Sequence, residues 1–224
     1  MATFVLIPGA GCDASYWRFL VTELEAHGHS TIPVALPCDD DRAELEQYVE
    51  AVIEAVGPRR SDLILVAHSF GGFTATLACE RLPVRLLVLL SAMVPQPGEA
   101  PGEWWTNTGY RQEHRAAAQR EGFDPEDVDA LFYHDVPADI VAEEQRAPQP
   151  RQSSTPMRKP WPLAALPNTP TRFLLLRDDR FFPAAFMRRV VHERLGTTPD
   201  EMPGGHLAML SRPKELAERL LSYL

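Results

Sequence analysis

Three short stretches of the chain carry residues able to do covalent chemistry. Ser69 stands in Ala67-His68-Ser69-Phe70-Gly71, directly after the apolar run Asp62–Ala67 and before a helix-like stretch. A serine held in a tight strand-to-helix turn, with small residues around it, projects its hydroxyl beside a helix N-terminus, where developing negative charge is favoured. The pentapeptide alone is a weak signal, and its place between strand and helix is what gives it weight. A second stretch, Thr3–Pro8 followed by Gly9-Ala10-Gly11, ends an apolar run in flexible backbone. From there the N–H of Ala10 can pair with that of Phe70 to bind an oxyanion. The third is Met202-Pro-Gly-Gly-His206-Leu-Ala-Met-Leu-Ser211, in which Gly204-Gly205 predicts a mobile, close-packed loop carrying His206.

Of the seven histidines, His27, His29, His114, His134 and His192 read as surface or packing residues. His68 is expected to pack on the far side of the turn from the Ser69 hydroxyl. His206 stands apart by order, since a nucleophilic serine, an acid and a late histidine would form a relay. The acid should follow the run Thr171–Arg177, where Asp178 and Asp179 compete. Either could instead cap the next helix or pair with Arg180.

Six strand-like runs must position these groups: Thr3–Pro8, Ser30–Leu36, Asp62–Ala67, Val84–Ser91, Thr171–Arg177 and Pro199–Met202. Five are nearly continuous apolar runs, as in a parallel sheet buried on both faces, and the weakly apolar last one suits an edge. Helices are expected at Ser15–His27, Arg42–Val56, Phe70–Arg81, Pro183–Leu195 and Pro213–Tyr223, with Asp13 and the run Asp39-Asp40-Asp41 as caps. Adjacent loop carboxylates with no histidine partner make a poor metal cage, so capping is the better account of that run.

The alternation breaks between Pro95 and Pro170, a third of the chain that holds twelve of 21 prolines and three of four tryptophans. Proline at that density forbids sheet interior and long helices. The apolar content is too high for a free linker. The segment is therefore expected to fold over the core as a helical cap, with Arg111–Glu121 and Pro125–Phe132 among its helices. The expected division is a core of residues 1–95 and 168–224 around a cap of residues 96–167.

At 224 residues, 45% hydrophobic and 24% charged, with a net charge of -9, the chain has globular composition. It has no basic block of the kind nucleic acid requires. Cys12, Cys38 and Cys79 lie far apart and read as reduced thiols in a cytoplasmic protein. No apolar run approaches the roughly 20 residues that span a bilayer, and nothing before Thr3 resembles a signal peptide.

At these residues the sequence resembles the α/β-hydrolase superfamily, and within it the branch of plant methylesterases, hydroxynitrile lyases and their bacterial relatives. The similar stretches are Phe4-Val-Leu-Ile-Pro-Gly-Ala-Gly-Cys, Val66-Ala-His-Ser-Phe-Gly-Gly, Leu90-Ser-Ala-Met-Val-Pro and Gly205-His-Leu-Ala-Met-Leu-Ser-Arg-Pro. The cap has no such likeness, and Pro8 stands where the branch commonly has histidine. The resemblance implies an α/β-hydrolase fold, a mostly parallel sheet of about six strands with helices on both faces and an inserted helical cap. It also implies a Ser69–His206–Asp triad with no metal and no cofactor. The superfamily places its acid four residues before a helix-opening proline, here Pro183, which selects Asp179 over Asp178; a one-residue shift in register would reverse the choice.

Lyases of the branch carry Thr or Asn where this chain has Gly9, and those of the Thr type a Lys where it has Leu207. Ester hydrolysis is therefore expected over cyanohydrin cleavage, on small to medium apolar esters. Acyl transfer, C–C hydrolysis, a tailoring step in secondary metabolism and a triad-retaining small-molecule receptor are the alternatives. An apolar cap face left exposed would suit a homodimer.

Overall fold

The structure, a computed structural model, describes residues 1–11, 13–58, 61–148 and 151–224. Its six strands are β1 (Thr3–Ile7), β2 (Ser30–Pro33), β3 (Leu63–His68), β4 (Val84–Leu90), β5 (Thr171–Leu176) and β6 (Asp200–Met202). They form one sheet in the order β2-β1-β3-β4-β5-β6, and every pairing is parallel. The weakly apolar β6 takes an edge, as expected.

Strand side chains alternate between faces, so one continuous apolar run feeds two cores. On one face Val5 and Ile7 of β1, Leu65 and Ala67 of β3 and Phe173 of β5 pack under α2 (Leu45–Val56), α3 (Gly71–Ala78) and α7 (Ala184–Leu195). On the other, Phe4 and Leu6, Ile64 and Val66, and Leu174 pack under α1 (Arg18–Ala26) and α9 (Pro213–Leu221). Helix α3 is buried all round because it lies between the sheet and its neighbours.

The strands end in step. Ile7 pairs with Ala67, His68 with Leu90, Leu90 with Leu174, and Leu176 with Met202. The loops after β1, β3, β5 and β6 consequently open at one end of the sheet. Because β2 and β3 flank β1 on opposite sides, their connections diverge and leave a crevice at the carboxyl ends of β1 and β3.

Between β4 and β5 the chain leaves the sheet and forms α4 (Trp104–Asn107), α5 (Tyr110–Glu121), a π-helical turn at Asp129–Tyr133 and α6 (Ala138–Arg146). Trp104 and Trp161 are fully buried in the same core as β1 and α7. The Trp104 indole N–H donates to the Val94 carbonyl at 3.1 Å. A buried ion pair adds a second anchor. The Arg194 guanidinium meets both Glu99 oxygens at 2.6 and 2.8 Å, with Asn107 donating to the same carboxylate.

Several local expectations change. β2 stops at Pro33, within a stretch that also contains Pro37. The helix expected at Ser15 begins as a 3₁₀ turn at Ala14–Trp17, capped by Asp13. The acidic run does not cap α2, which starts at Leu45 behind Glu44, whose own N–H donates to the Gln47 side-chain oxygen in a capping box. Asp40 instead turns back to Arg42, while Asp41 holds Arg151 and Ser153. The expected helix at Pro125–Phe132 is only the π turn, and α4, α6 and α8 (Ala208–Ser211) have no counterpart among the helices the sequence predicts. Cys38 and Cys79 are free and buried, and burial pushes the Cys79 thiol up to about 12; Cys12 lies outside the described residues. No helix among the described residues is long and apolar enough to cross a membrane.

The Glu99–Arg194 pair yields a stability test. Removing one partner of a buried ion pair strands the other charge, at a cost of about 3–5 kcal/mol. Glu99→Ala is expected to lower the unfolding free energy measured by urea titration by that amount. Glu99→Leu combined with Arg194→Met should cost clearly less than Glu99→Ala alone, because no charge is then left unpaired.

Candidate active site

Ser69 follows β3 and has a left-handed backbone, φ 52°. A non-glycine residue keeps that conformation only where its surroundings impose it. Here the Ser69 carbonyl accepts from Gly72 N–H at 3.2 Å and Met93 N–H at 2.9 Å. Glycine is required next to it for space: a Cβ at Gly71 would lie 2.5 Å from the Pro8 carbonyl oxygen, and one at Gly72 2.1 Å from that of Met93. The loop after β1 presses on the serine itself, since a Cβ at Gly9 would come within 2.9 Å of Ser69 Cβ.

His206 and Asp179 are both buried, and His206 Nδ1 donates to Asp179 Oδ2 at 2.8 Å. The second oxygen, Oδ1, accepts from the N–H groups of Phe181 and Phe182 at 2.9 and 2.8 Å. The local capping role considered for this aspartate thus coexists with the contact to histidine. Asp178 is exposed and binds Gly204 N–H at 2.7 Å instead. Arg180 turns away to the Ala130 carbonyl and the Phe123 ring.

Ser69 and His206 open onto one cavity of about 200 Å³, walled mainly by Val128, Phe132, Tyr133, Phe181 and Leu207. Ala10 lines it from the β1 loop. Phe70 sits at the N-terminus of α3. Neither the Ala10 nor the Phe70 N–H has a protein acceptor among the described residues. The wall residues Val128, Phe132 and Tyr133 come from the segment between β4 and β5, whose sequence singled out none of them. Its tryptophans do not line the cavity; Trp104 and Trp161 are core.

His68 departs from expectation. It lines the cavity, and its ring centroid lies 4.4 Å from that of His206. Gly9 N–H donates to the Tyr16 hydroxyl at 3.2 Å, and that hydroxyl contacts His68 Nδ1 at 3.1 Å. The Tyr16 hydroxyl can accept from Gly9 and still donate its own proton to Nδ1, an arrangement that suits a neutral ring. Burial, together with the neighbouring His206, holds the His68 ring well below its ordinary 6.5. A histidine next to Ser69 and an aromatic Tyr16-Trp17 pair in the first helical turn were the available signals. Spacing alone could not bring them together.

A model of the alpha/beta hydrolase family matches residues 4–219. Norfluorocurarine synthase 1 of Strychnos sp is 23% identical over 97% of this chain and 93% of its own length. Probable esterase PIR7A of Oryza sativa is 26% identical over 97% of this chain and 95% of its own. The solved structure of polyneuridine aldehyde esterase superposes with a TM-score of 0.82 at 22% identity, covering 100% of this chain and 99% of that one.

The neutral, buried His68 gives a pH test. Below pH 6.5 the unfolded chain takes up a proton at this residue before the folded chain does. The stability it contributes is complete above 6.5 and is lost as the pH falls, by at most about 1.4 kcal/mol per unit. His68→Gln should therefore narrow the difference in Tm between pH ~7.5 and ~5.5, a window in which histidines titrate. An unchanged difference would contradict the assignment.

Proposed function

Because the chain belongs to the α/β hydrolase family and is a hydrolase of its esterase type, we propose that it cleaves carboxylic esters with Ser69 as nucleophile, His206 as base and Asp179 as the acid that orients it. One observation carries this reading: the strained Ser69 and the buried His206–Asp179 hydrogen bond face a single apolar cavity.

In this mechanism His206 takes the Ser69 proton as the oxygen attacks the ester carbonyl. Asp179 keeps the proton of His206 on Nδ1, so that Nε2 is the free base, and it stabilises the imidazolium that forms. The N–H groups of Ala10 and Phe70 bind the tetrahedral oxyanion; losing one such donor costs on the order of 10² to 10³ in rate. His206 then protonates the departing alcohol, and water repeats the cycle on the acyl-enzyme. The chemistry calls for no metal and no cofactor.

The aromatic and aliphatic cavity, about 200 Å³ in volume, suits compact apolar acyl or alcohol groups. At Leu207 an apolar side chain stands where a cyanide-releasing site needs a cation, which supports ester hydrolysis over cyanohydrin cleavage. Gly9 points the same way: the loop presses so closely on Ser69 that a Thr or Asn side chain could not be added without displacing it.

A fluorophosphonate probe followed by peptide mapping is expected to label Ser69, and Ser69→Ala to abolish both labelling and hydrolysis of short methyl and aryl esters. Labelling that persists in Ser69→Ala would overturn the assignment. Asp179→Asn should lower kcat by roughly 10⁴, whereas Asp178→Asn should keep most of it. Equal losses would argue against Asp179 as the acid.

A further inference from the structure

Three carboxylates grip three consecutive residues. Asp178 Oδ2 accepts from Gly204 N–H at 2.7 Å, Asp135 Oδ2 from Gly205 N–H at 2.7 Å, and Asp179 Oδ2 from His206 Nδ1 at 2.8 Å. Two of them sit side by side after β5. The third, Asp135, belongs to the segment between β4 and β5. Its Oδ2 also accepts from Ser211 Oγ at 2.9 Å. One oxygen therefore ties together Gly205 and Ser211, the two ends of the stretch that carries His206 and α8.

The contact leaves no slack. A Cβ on Gly205 would lie 2.5 Å from Asp135 Oδ1 and 2.7 Å from His134 Nε2. Gly204 holds φ +130°, a backbone open to glycine. The pair of glycines keeps the loop close-packed, as expected, and lets carboxylates reach its backbone. Asp135 also lies two and three residues beyond Tyr133 and Phe132, which wall the cavity, and Phe132 packs on the His206 ring at 5.4 Å between centroids.

From this bridge we infer that Asp135 is a positioning residue: it fixes the backbone on both sides of His206 and links its orientation to the wall that meets the substrate. The inference rests on the triad reading above. A wall displaced by a bulky acyl group moves Asp135, and with it Gly205. A misplacement of about 1 Å in a catalytic group is enough to cost on the order of 10² in rate. The bridge uses only Oδ2 of the carboxylate, and Oδ1 has no hydrogen-bond partner among the described residues. An asparagine can therefore supply the same acceptor.

The test compares Asp135→Ala with Asp135→Asn in the full chain. Asp135→Ala is expected to lower kcat by about 10- to 100-fold with KM within about twofold. Asp135→Asn is expected to restore most of kcat. In proton NMR, the low-field signal of the His206 Nδ1 proton should shift or broaden in Asp135→Ala and return in Asp135→Asn. Ser211→Ala, which removes one end of the bridge, should give a smaller change in the same direction, and it serves in place of Asp135→Ala if that variant does not fold. A folded Asp135→Ala, or Ser211→Ala in its place, with unchanged kcat and an unchanged low-field signal would overturn the inference. The signal needs no substrate, so the positioning role is read even if no ester is turned over. Loss of the triad reading itself would show separately, as probe labelling that survives Ser69→Ala.

Discussion

The 2.8 Å hydrogen bond between His206 and Asp179 is made where water cannot help it. A carboxylate removed from solvent is stable only when its lone pairs are met by donors, and Asp179 is met three times, by the imidazole and by two backbone N–H groups. Those N–H groups belong to the turn that leads from β5 into α7. The aspartate thus cannot move without unmaking that turn. The sheet supplies the same rigidity to the other participants: Ser69 is pinned by Met93 and Gly72, and the β1 loop lies against it. Strain at Ser69 persists because its neighbours are packed too closely for the backbone to relax.

The segment between β4 and β5 is part of this framework and not an appendage. Trp104 and Trp161 fill the same core as the central strands, and the Glu99–Arg194 pair fastens the segment to α7. Such anchorage lets a proline-rich stretch with short helices place Phe132 and Tyr133 in the wall of the cavity that Ser69 lines. It also explains why the tryptophans, the most conspicuous side chains of that stretch, are absent from the cavity wall: their size is spent on attachment.

How much of this could be read beforehand follows from the range of each interaction. Strand order of occurrence, the edge position of β6 and the placing of Ser69 between strand and helix are local matters of periodicity and glycine, and all were legible. Asp179 could be preferred only by its distance from Pro183, and its choice of partner depends on the turn that buries it. The contact of Asp135 with Gly205 joins residues 70 apart through a segment with no recognisable pattern. The same holds for Tyr16 reaching His68 across 52 residues. Asp39-Asp40-Asp41 misled for a related reason. Capping is the local use of a carboxylate, and Asp41 has a distant use, holding Arg151 and Ser153.

Charge is distributed unevenly about His206. Asp179 lies against Nδ1, while the rings of Phe132, Phe181 and Phe182 stand at 66°, 72° and 85° to the imidazole, 5.4, 5.0 and 5.3 Å away between centroids. His68, at 4.4 Å, would oppose an imidazolium strongly if it were charged as well. Its buried, hydrogen-bonded neutral state removes that repulsion. In the proposed mechanism the cation formed when Ser69 gives up its proton is stabilised along the line to Asp179, the carboxylate hydrogen-bonded to the ring. On that reading a proton taken up at Nε2 is stabilised in proportion to how well the hydrogen bond to Asp179 is kept, and every residue that fixes the backbone around His206 bears on the transfer even where it never touches a substrate.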